Sequence, residues 1–264
     1  MRLYWEIARR GFRRYATYRT ATFAGAFTNT VFGVLRAYII LAVFTQRTHV
    51  GGLTATDAVT MSLVGQSTLM VMALFAGGTE IAQRIRTGDV VSDLYRPVDF
   101  QRYWLANDLG RALYHASWRS LPPFLVGALI FDVRLPEHPV TWLWFALAIL
   151  LAVLVSFGMR FLVGLSAFWL LDERGANQLM TTLLLLLSGM ILPLQFFPDW
   201  LERIARVLPF ASVVQIPMEV FVEKHAGAGL IGALGLQAAW AVALYVIGAA
   251  ALAAATRKVV IQGG

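Results

Sequence analysis

Long apolar runs separated by short polar intervals make up most of the chain. A helix that crosses a bilayer needs about 20 predominantly apolar residues, and we interpret six of the runs as such spans. Their ranges are 21–44, 58–75, 109–131, 140–171, 179–192 and 230–255. The pattern therefore predicts an all-α integral membrane protein with six transmembrane helices.

The first 20 residues differ from these runs because they form two opposite faces at helical spacing. Arginines supply one face, and the other carries Tyr4, Ile7, Gly11, Tyr15 and Tyr18. A basic amphipathic helix of this kind lies in the headgroup plane instead of crossing the membrane. We therefore expect residues 1–20 to be an N-terminal interfacial helix, which either couples a partner to the first span or simply anchors the chain.

A long polar interval, residues 77–108, lies between the second and third predicted spans. Within it, Ile81 and Ile85 share one face of a short helix, and charged residues occupy the other positions. Gly88 is a typical helix stop, and Asp89 is a typical start for the next turn. A short helix with an apolar edge and mixed charges suits docking to a partner, and an ordinary solvated loop is the alternative.

Residues 193–227, between the fifth and sixth predicted spans, are interrupted by prolines, each of which favours a break in a helix. A short amphipathic segment lies between Pro198 and Pro209, and a second apolar segment follows it. Broken helices at membrane depth are tolerated only where protein or a water-filled cavity satisfies the backbone. The pattern predicts a pair of short reentrant helices, which act either as a gate or as a structural cap.

The distribution of charge predicts which side of the membrane each segment occupies. The chain is 58% hydrophobic and 14% charged, with a net charge of +7. Its 22 basic residues mostly flank the apolar runs, which indicates contact with lipid headgroups and argues against nucleic acid as the partner. The positive-inside rule places both termini and residues 77–108 in the cytoplasm and residues 193–227 outside the cell.

Three arginines, Arg36, Arg119 and Arg160, lie within predicted spans. A charge at that depth costs about 2.5–3.5 kcal/mol on insertion scales and normally faces the bundle interior or a wet cavity. Arg119 also ends a stripe at spacings of three and four, formed by Asp108, Arg111, His115 and Arg119. We expect Arg111 to snorkel towards the interface beside Asp108, and the role of Arg119 stays open between snorkelling and lining a polar path.

Motifs for catalysis are absent from the sequence. There is no Gly-Lys-Ser/Thr phosphate-binding loop, so the chain is not expected to hydrolyse ATP itself. It has no cysteine, and its four histidines are scattered without the spacing of metal ligands. We therefore assign no catalytic and no metal-binding residues.

Two stretches carry a more specific pattern. The polar interval contains E-I-x-x-x-I-R-x-G over residues 80–88 and L-x-R-P-V over residues 94–98. The reentrant stretch contains S-G-x-x-x-P-L-x-x-F-P over residues 188–198, followed by L-P-F over residues 208–210. With these motifs and this order of helix, spans, polar interval and reentrant pair, nearly the whole chain resembles the permease subunit of ABC-2 type exporters. That family includes the daunorubicin-resistance-like and related bacterial permeases.

The resemblance implies that residues 21–264 form a permease domain and that the protein exports a substrate. The protein would move an amphiphilic or hydrophobic substrate, such as a drug, a lipid-like compound or a peptide, out of the cell across the cell membrane. It would hold no cofactor, because ATP and Mg bind in separate ABC ATPase subunits. Its other partners would be a second six-span permease, like or unlike, and membrane lipids.

The resemblance also implies roles for particular residues. The ATPase-coupling set is Glu80, Ile81, Arg84, Ile85, Arg86, Gly88 and Asp89. The external gate set is Pro193, Phe197, Pro198, Leu208, Pro209 and Phe210. Arg36 and Arg119 are the candidates for lining the translocation path.

Two other functional classes remain as alternatives. An ion-gradient-driven secondary transporter usually carries carboxylates within its spans, and we place none there. A membrane-embedded lipid-modifying enzyme would show turnover without any partner.

Overall fold

The computed structural model describes residues 2–17, 19–75, 78–170 and 173–262, and the regular secondary structure in these ranges is helical. The helices in chain order are α1 (Arg2–Ala16), α2 (Arg19–Val43), α3 (Ala55–Thr68), α4 (Thr79–Thr87), α5 (Val90–Leu94), α6 (Phe100–Trp118), α7 (Leu121–Ile130), α8 (Pro139–Leu165), α9 (Arg174–Leu187), α10 (Asp199–Val207), α11 (Gln215–Phe221) and α12 (Ala228–Gln262). Short 3-10 turns at Ser166–Phe168 and Leu194–Phe196 follow α8 and precede α10.

Three helices of the described chain are long and apolar enough to cross a membrane by length and composition. They are Thr22–Val43, Pro139–Phe168 and Ala228–Arg257, and they match the first, fourth and sixth predicted spans. The all-helical fold class is therefore confirmed, with three apolar candidate spans.

The other three predicted spans are shorter or interrupted. Helix α3 has 14 residues and ends at Thr68, after which residues 69–75 form irregular turns. At about 1.5 Å per residue, α3 covers roughly 21 Å of a hydrocarbon core about 30 Å thick. Helix α9 also has 14 residues, as many as the predicted fifth span, but it covers Arg174–Leu187 and so begins and ends five residues earlier.

The third predicted span consists of two helices. One helix ends at Trp118, and a new helix begins at Leu121. The two prolines occupy the first turn of α7, where the missing N–H groups have no intrahelical acceptor to lose. The break therefore falls at Arg119 and Ser120.

The apolar face of α1 is covered by protein, because α1 packs along α6. A Cβ atom at Gly11 would overlap the backbone of Asn107, and one at Gly110 would overlap the backbone of Ala8. The half-buried side of α1 therefore contacts α6, and its place in the headgroup plane stays a prediction. Tyr18, which was placed on the same face, lies outside the described residues.

The polar segments gather at the two ends of α2. Near its first residue, Arg14 of α1 forms an ion pair with Glu80 of α4, with 2.9 Å between nitrogen and oxygen. Beyond its last residue, Gly51 lies against the carbonyl of Gln195, and Arg134 pairs with Asp57 at 3.3 Å. Helix α4 and the 193–227 segment therefore lie at opposite ends of α2.

Candidate functional site

Helix α4 is held against α8 by a close contact between glycines. A Cβ atom at Gly78 would overlap the backbone of Gly164, and Ile81 is only 7% exposed beside that contact. Ile85 is partly buried in the same apolar cluster. We predicted both isoleucines as coupling residues, but Ile81 faces the protein core and fixes α4 in place.

The charged residues of α4 bind neighbouring segments. Arg84 forms a two-point ion pair with Asp93 of α5. Arg86 pairs with Glu173 at 3.1 Å, and Glu80 pairs with α1 as described above. These pairs connect α1, α4, α5 and the start of α9 into one unit.

The surface of this unit has an exposed strip that a partner can reach. Gly88 ends α4 with φ +80° and has open space around it, and Asp89 is exposed. Val91 and Tyr95 add apolar surface, and Tyr95 is 86% exposed. The sequence analysis did not single out Tyr95, although it lies inside the L-x-R-P-V motif.

A cavity of about 810 Å³ lies beside α2, α3 and the segment that follows α9. Both arginines proposed for a polar path, Arg36 and Arg119, line it. Most of the remaining wall is apolar and includes Phe32, Leu69 and Leu185. The structure therefore brings together two residues that are far apart in the sequence.

Neutral groups surround Arg36. Its guanidinium donates to the side-chain oxygen of Gln66 at 3.0 Å and to the carbonyl of Ile191 at 3.3 Å. Gln66 in turn exchanges hydrogen bonds with Asn29, at 3.1 and 3.2 Å. Asn29 and Gln66 were missed by the sequence analysis, since single amides in apolar runs carry no distinctive spacing.

Arg119 lies at the break between α6 and α7, against Gly25 of α2. A Cβ atom at Gly25 would overlap its guanidinium, so a larger residue there would displace the end of the Arg119 side chain. The Nε atom of Arg119 is buried and has no hydrogen-bond partner. Among the described residues, neither Arg119 nor Arg36 has a carboxylate within ion-pair distance.

Arg160 and Arg111 have a different environment, because both bind the carboxylate of Asp108. Arg160 donates to Asp108 at 2.7 and 3.1 Å, and Arg111 donates to it at 2.7 Å. Arg111 also donates to the carbonyls of Met70 and Val71, at 2.7 and 2.9 Å. The prediction that Arg111 snorkels is wrong, since its side chain is buried and caps the irregular turns after α3.

Glu219 of α11 holds together the segment predicted as a gate. Glu219 is buried, with 1% of its surface exposed. Its carboxylate pairs with Arg206 of α10 at 2.9 Å and contacts His225 at 2.7 Å. The predicted gate residues Pro193 and Phe210 are buried, Pro198 is exposed, and Phe197, Leu208 and Pro209 are half-buried. Glu219 was not predicted, because a single acidic residue in an apolar segment gives no pattern.

Comparison with known protein families decides the class of this arrangement. The model of a family described as ABC-2 family transporter protein matches residues 32–263. The chain belongs to this ABC-2 transporter family. The resemblance seen in the sequence is therefore confirmed over most of the chain, from the middle of α2 to the end of α12.

Membership of this family gives the general function of the protein. An ABC-2 protein is the permease component of an ABC transporter, a multi-pass membrane protein that works with an ABC ATPase subunit. No curated protein matches the chain. Within the described ranges, no group of three or more His, Asp and Glu side chains is placed to hold a metal ion.

Proposed function

We propose that this ABC-2 permease is the membrane subunit of an exporter that moves an amphiphilic or hydrophobic substrate out of the cell. The observation that carries the proposal is the apolar cavity of about 810 Å³ beside α2. It lies between the α4 unit at one end of α2 and the 193–227 segment at the other. A substrate with an apolar body would find both a hydrophobic wall and two cationic side chains there.

The proposed topology has six crossings in the cell membrane, with both termini in the cytoplasm. Three crossings are the long apolar helices, and three are α3 with residues 69–75, α6 with α7, and α9 with the turns after it. Protein groups must satisfy the backbone of the interrupted crossings. The hydrogen bonds from Arg111 to Met70 and Val71 meet this requirement for the turns after α3.

In this proposal, energy enters through the exposed strip of the α4 unit. A separate ABC ATPase subunit binds ATP and Mg and contacts Asp89, Val91 and Tyr95, which are exposed in the permease. Glu80, Arg84 and Arg86 support that strip through their ion pairs. A second permease, like or unlike, covers the exposed apolar side chains of α2, such as Phe23 and Phe27.

Coupling is tested with the full permease, its ATPase subunit and reconstituted vesicles. Tyr95→Ala combined with Asp89→Arg should weaken ATPase binding about tenfold and reduce ATP-driven transport equally, as expected for a surface anchor residue. Trp200→Ala is the matched control, since Trp200 is an exposed aromatic residue on α10 at the opposite end. Unchanged ATPase binding in the double variant would remove the strip from the mechanism.

Sidedness is tested by cysteine labelling, which is simple because the chain has no cysteine. Gln83→Cys on α4 should be labelled only from inside the cell, and Arg203→Cys on α10 only from outside. Labelling of both from one side would contradict the topology. Transport driven by an ion gradient without the ATPase subunit would instead favour a secondary transporter.

A further inference from the structure

The cavity beside α2 carries positive charge at two separated places. Arg119 lies against Gly25, and Arg36 lies further along the same helix. The distance between positions 25 and 36 on a helix is about 16 Å at 1.5 Å per residue. One arginine is therefore at the end of the cavity nearer α1, and the other is at the end nearer the turns around Ile191.

The wall between the two arginines is suited to an alkyl-like chain. Phe32 and Ile39 of α2 and Leu69 after α3 contribute to it. Burying such a chain is favourable by about 0.8 kcal/mol per CH₂ group.

The surrounding groups leave the charge of these arginines without a counterion. The amide of Gln66 and the carbonyl of Ile191 accept hydrogen bonds from Arg36 but carry no net charge. Arg119 has a buried Nε atom that lacks an acceptor. A charge that is partly removed from water without an ionic partner is costly, and the planar guanidinium matches a phosphate, sulfate or carboxylate group.

We propose that the cavity binds anionic amphiphiles, which have one phosphate, sulfate or carboxylate head and an alkyl-like tail. The head contacts Arg119 at one end of the cavity or Arg36 at the other, and the tail lies along the wall between them. The inference rests on the proposed function, because it names the substrate class of that exporter. Cationic amphiphiles are excluded by the like charge at both ends, and neutral ones gain nothing from either arginine.

The test uses the full permease in nanodiscs of zwitterionic lipid, without ATP or the ATPase subunit. Three photoreactive probes share one 12-carbon chain with a diazirine at its end and carry a phosphate, a maltoside or a trimethylammonium head. Cross-linked peptides report whether the tail reaches the wall near Phe32 or Leu69. We expect the phosphate probe to label the cavity with at least tenfold higher apparent affinity than the other two.

Substitutions assign that preference to the arginines. The double variant Arg36→Gln/Arg119→Gln should lower the affinity for the phosphate probe about tenfold, the size expected for hydrogen bonds to a charged group. The two single variants show which arginine holds the head, because only the loss of that arginine should have the same effect. They should leave maltoside labelling unchanged, which also reports that the variants remain folded. Arg119→Lys should retain part of the preference, and Arg203→Gln is the control, because Arg203 is an exposed arginine outside the cavity.

Equal labelling by all three probes, or unchanged phosphate labelling in the double glutamine variant, would overturn the proposal. Adding anionic phospholipid to the nanodiscs identifies the source of the ligand. Competition with the probe indicates a membrane lipid, and no competition indicates another anionic amphiphile; either result supports the binding class. Absence of ATP-driven transport by the complete transporter would overturn the exporter but not the measured binding, so the two failures are distinguishable.

Discussion

Two pairs of arginines lie in the apolar part of this protein, and they differ in whether a carboxylate is near. Arg111 and Arg160 share the buried carboxylate of Asp108. Arg36 and Arg119 contact only neutral groups among the described residues and face a cavity. The same residue type therefore stabilises the fold in one place and provides free positive charge in the other, and a neighbour distant in the sequence decides which.

The paired arginines allow α3 to end inside the bundle. The carbonyls of Met70 and Val71 accept hydrogen bonds from Arg111, and Ser156 donates to the carbonyl of Met72. Unsatisfied carbonyls at membrane depth would cost several kcal/mol each. The Asp108 carboxylate is the counterion that Arg111 and Arg160 share beside these turns.

The largest expected effect comes from removing the shared carboxylate. Asp108→Ala leaves Arg111 and Arg160 buried without a counterion, so we expect a loss of about 3–5 kcal/mol in unfolding free energy. Denaturant unfolding in detergent micelles measures it. Asp132→Ala, at an exposed loop aspartate, is the control and should be neutral. If Asp108→Ala unfolds at the same denaturant concentration as the control, the distinction between the two arginine pairs is lost.

Gly78→Ala tests the contact between α4 and the helix that carries Arg160. The added methyl group would overlap the backbone at Arg160 and Gly164, and overpacking of this kind costs about 1–3 kcal/mol. We expect a matching decrease in Tm together with weaker ATPase binding. Gly175→Ala is the matched control, because a Cβ atom there meets nothing within 4 Å. Normal ATPase binding by Gly78→Ala would show that α4 does not need this contact.

Substitution of the cavity arginines should lower ligand binding with little effect on stability, whereas substitution of Asp108 should lower stability. Arg119→Met removes a charge that has no ionic partner, so we expect the unfolding free energy to change by less than about 1 kcal/mol, or to increase. Binding of the phosphate probe should nevertheless fall when Arg119→Met is combined with Arg36→Gln. A stability loss as large as that of Asp108→Ala would mean that Arg119 is structural too.

The smallest expected effect concerns the carboxylate of Glu223, which is held by a hydroxyl, two backbone N–H groups and the His138 ring instead of by arginines. Burial alone would raise the pKa of Glu223, but hydrogen bonds from the Thr141 hydroxyl and from the backbone N–H groups of His138 and Glu137 lower it to about 2. The ordinary value is 4.5. Because the folded-state pKa is lowered, the stabilisation is present above pH 4.5 and is lost as the pH falls towards 2.

Glu223→Gln should therefore flatten the dependence of Tm on pH between 5 and 3. We expect a difference of about 2 °C or less, because solvent screens interactions at the surface to less than about 1 kcal/mol, and 1 kcal/mol shifts Tm by about 2–4 °C in chains of this size class. Glu137→Gln is the control, because its side chain is largely exposed. A wild-type pH profile in Glu223→Gln would contradict the assignment.

Local sequence patterns predicted much of the architecture. The apolar runs marked the three long helices, and Gly88 marked the end of α4. The prolines at 198 and 209 bracketed α10, which covers Asp199–Val207. Each of these features depends on residues within one or two helical turns, so the chain shows it directly.

The environments of the arginines could not be predicted in this way. Asp108 and Arg160 are 52 residues apart, and nothing in either local pattern indicates the pairing. Helix α3 ends at Thr68 although its apolar run continues to residue 75, because Arg111, from another helix, satisfies the freed carbonyls. The cavity likewise depends on how α2 lies against the break at Arg119, which is a property of packing.

The glycine contact between α1 and α6 has a mechanical consequence. Gly11 lies against the backbone of Asn107, and Gly110 lies against the backbone of Ala8. Sliding or rolling of one helix over the other would make these main chains overlap. A pair that moves as one rigid body would transmit force as a lever, with α1 as the outer arm and the remainder of α6 as the inner arm. The inner arm is about 12 Å long, at 1.5 Å per residue from Gly110 to Trp118, and it ends beside Arg119. A subunit that pushes on α1 from the aqueous side would displace Arg119 without entering the bilayer.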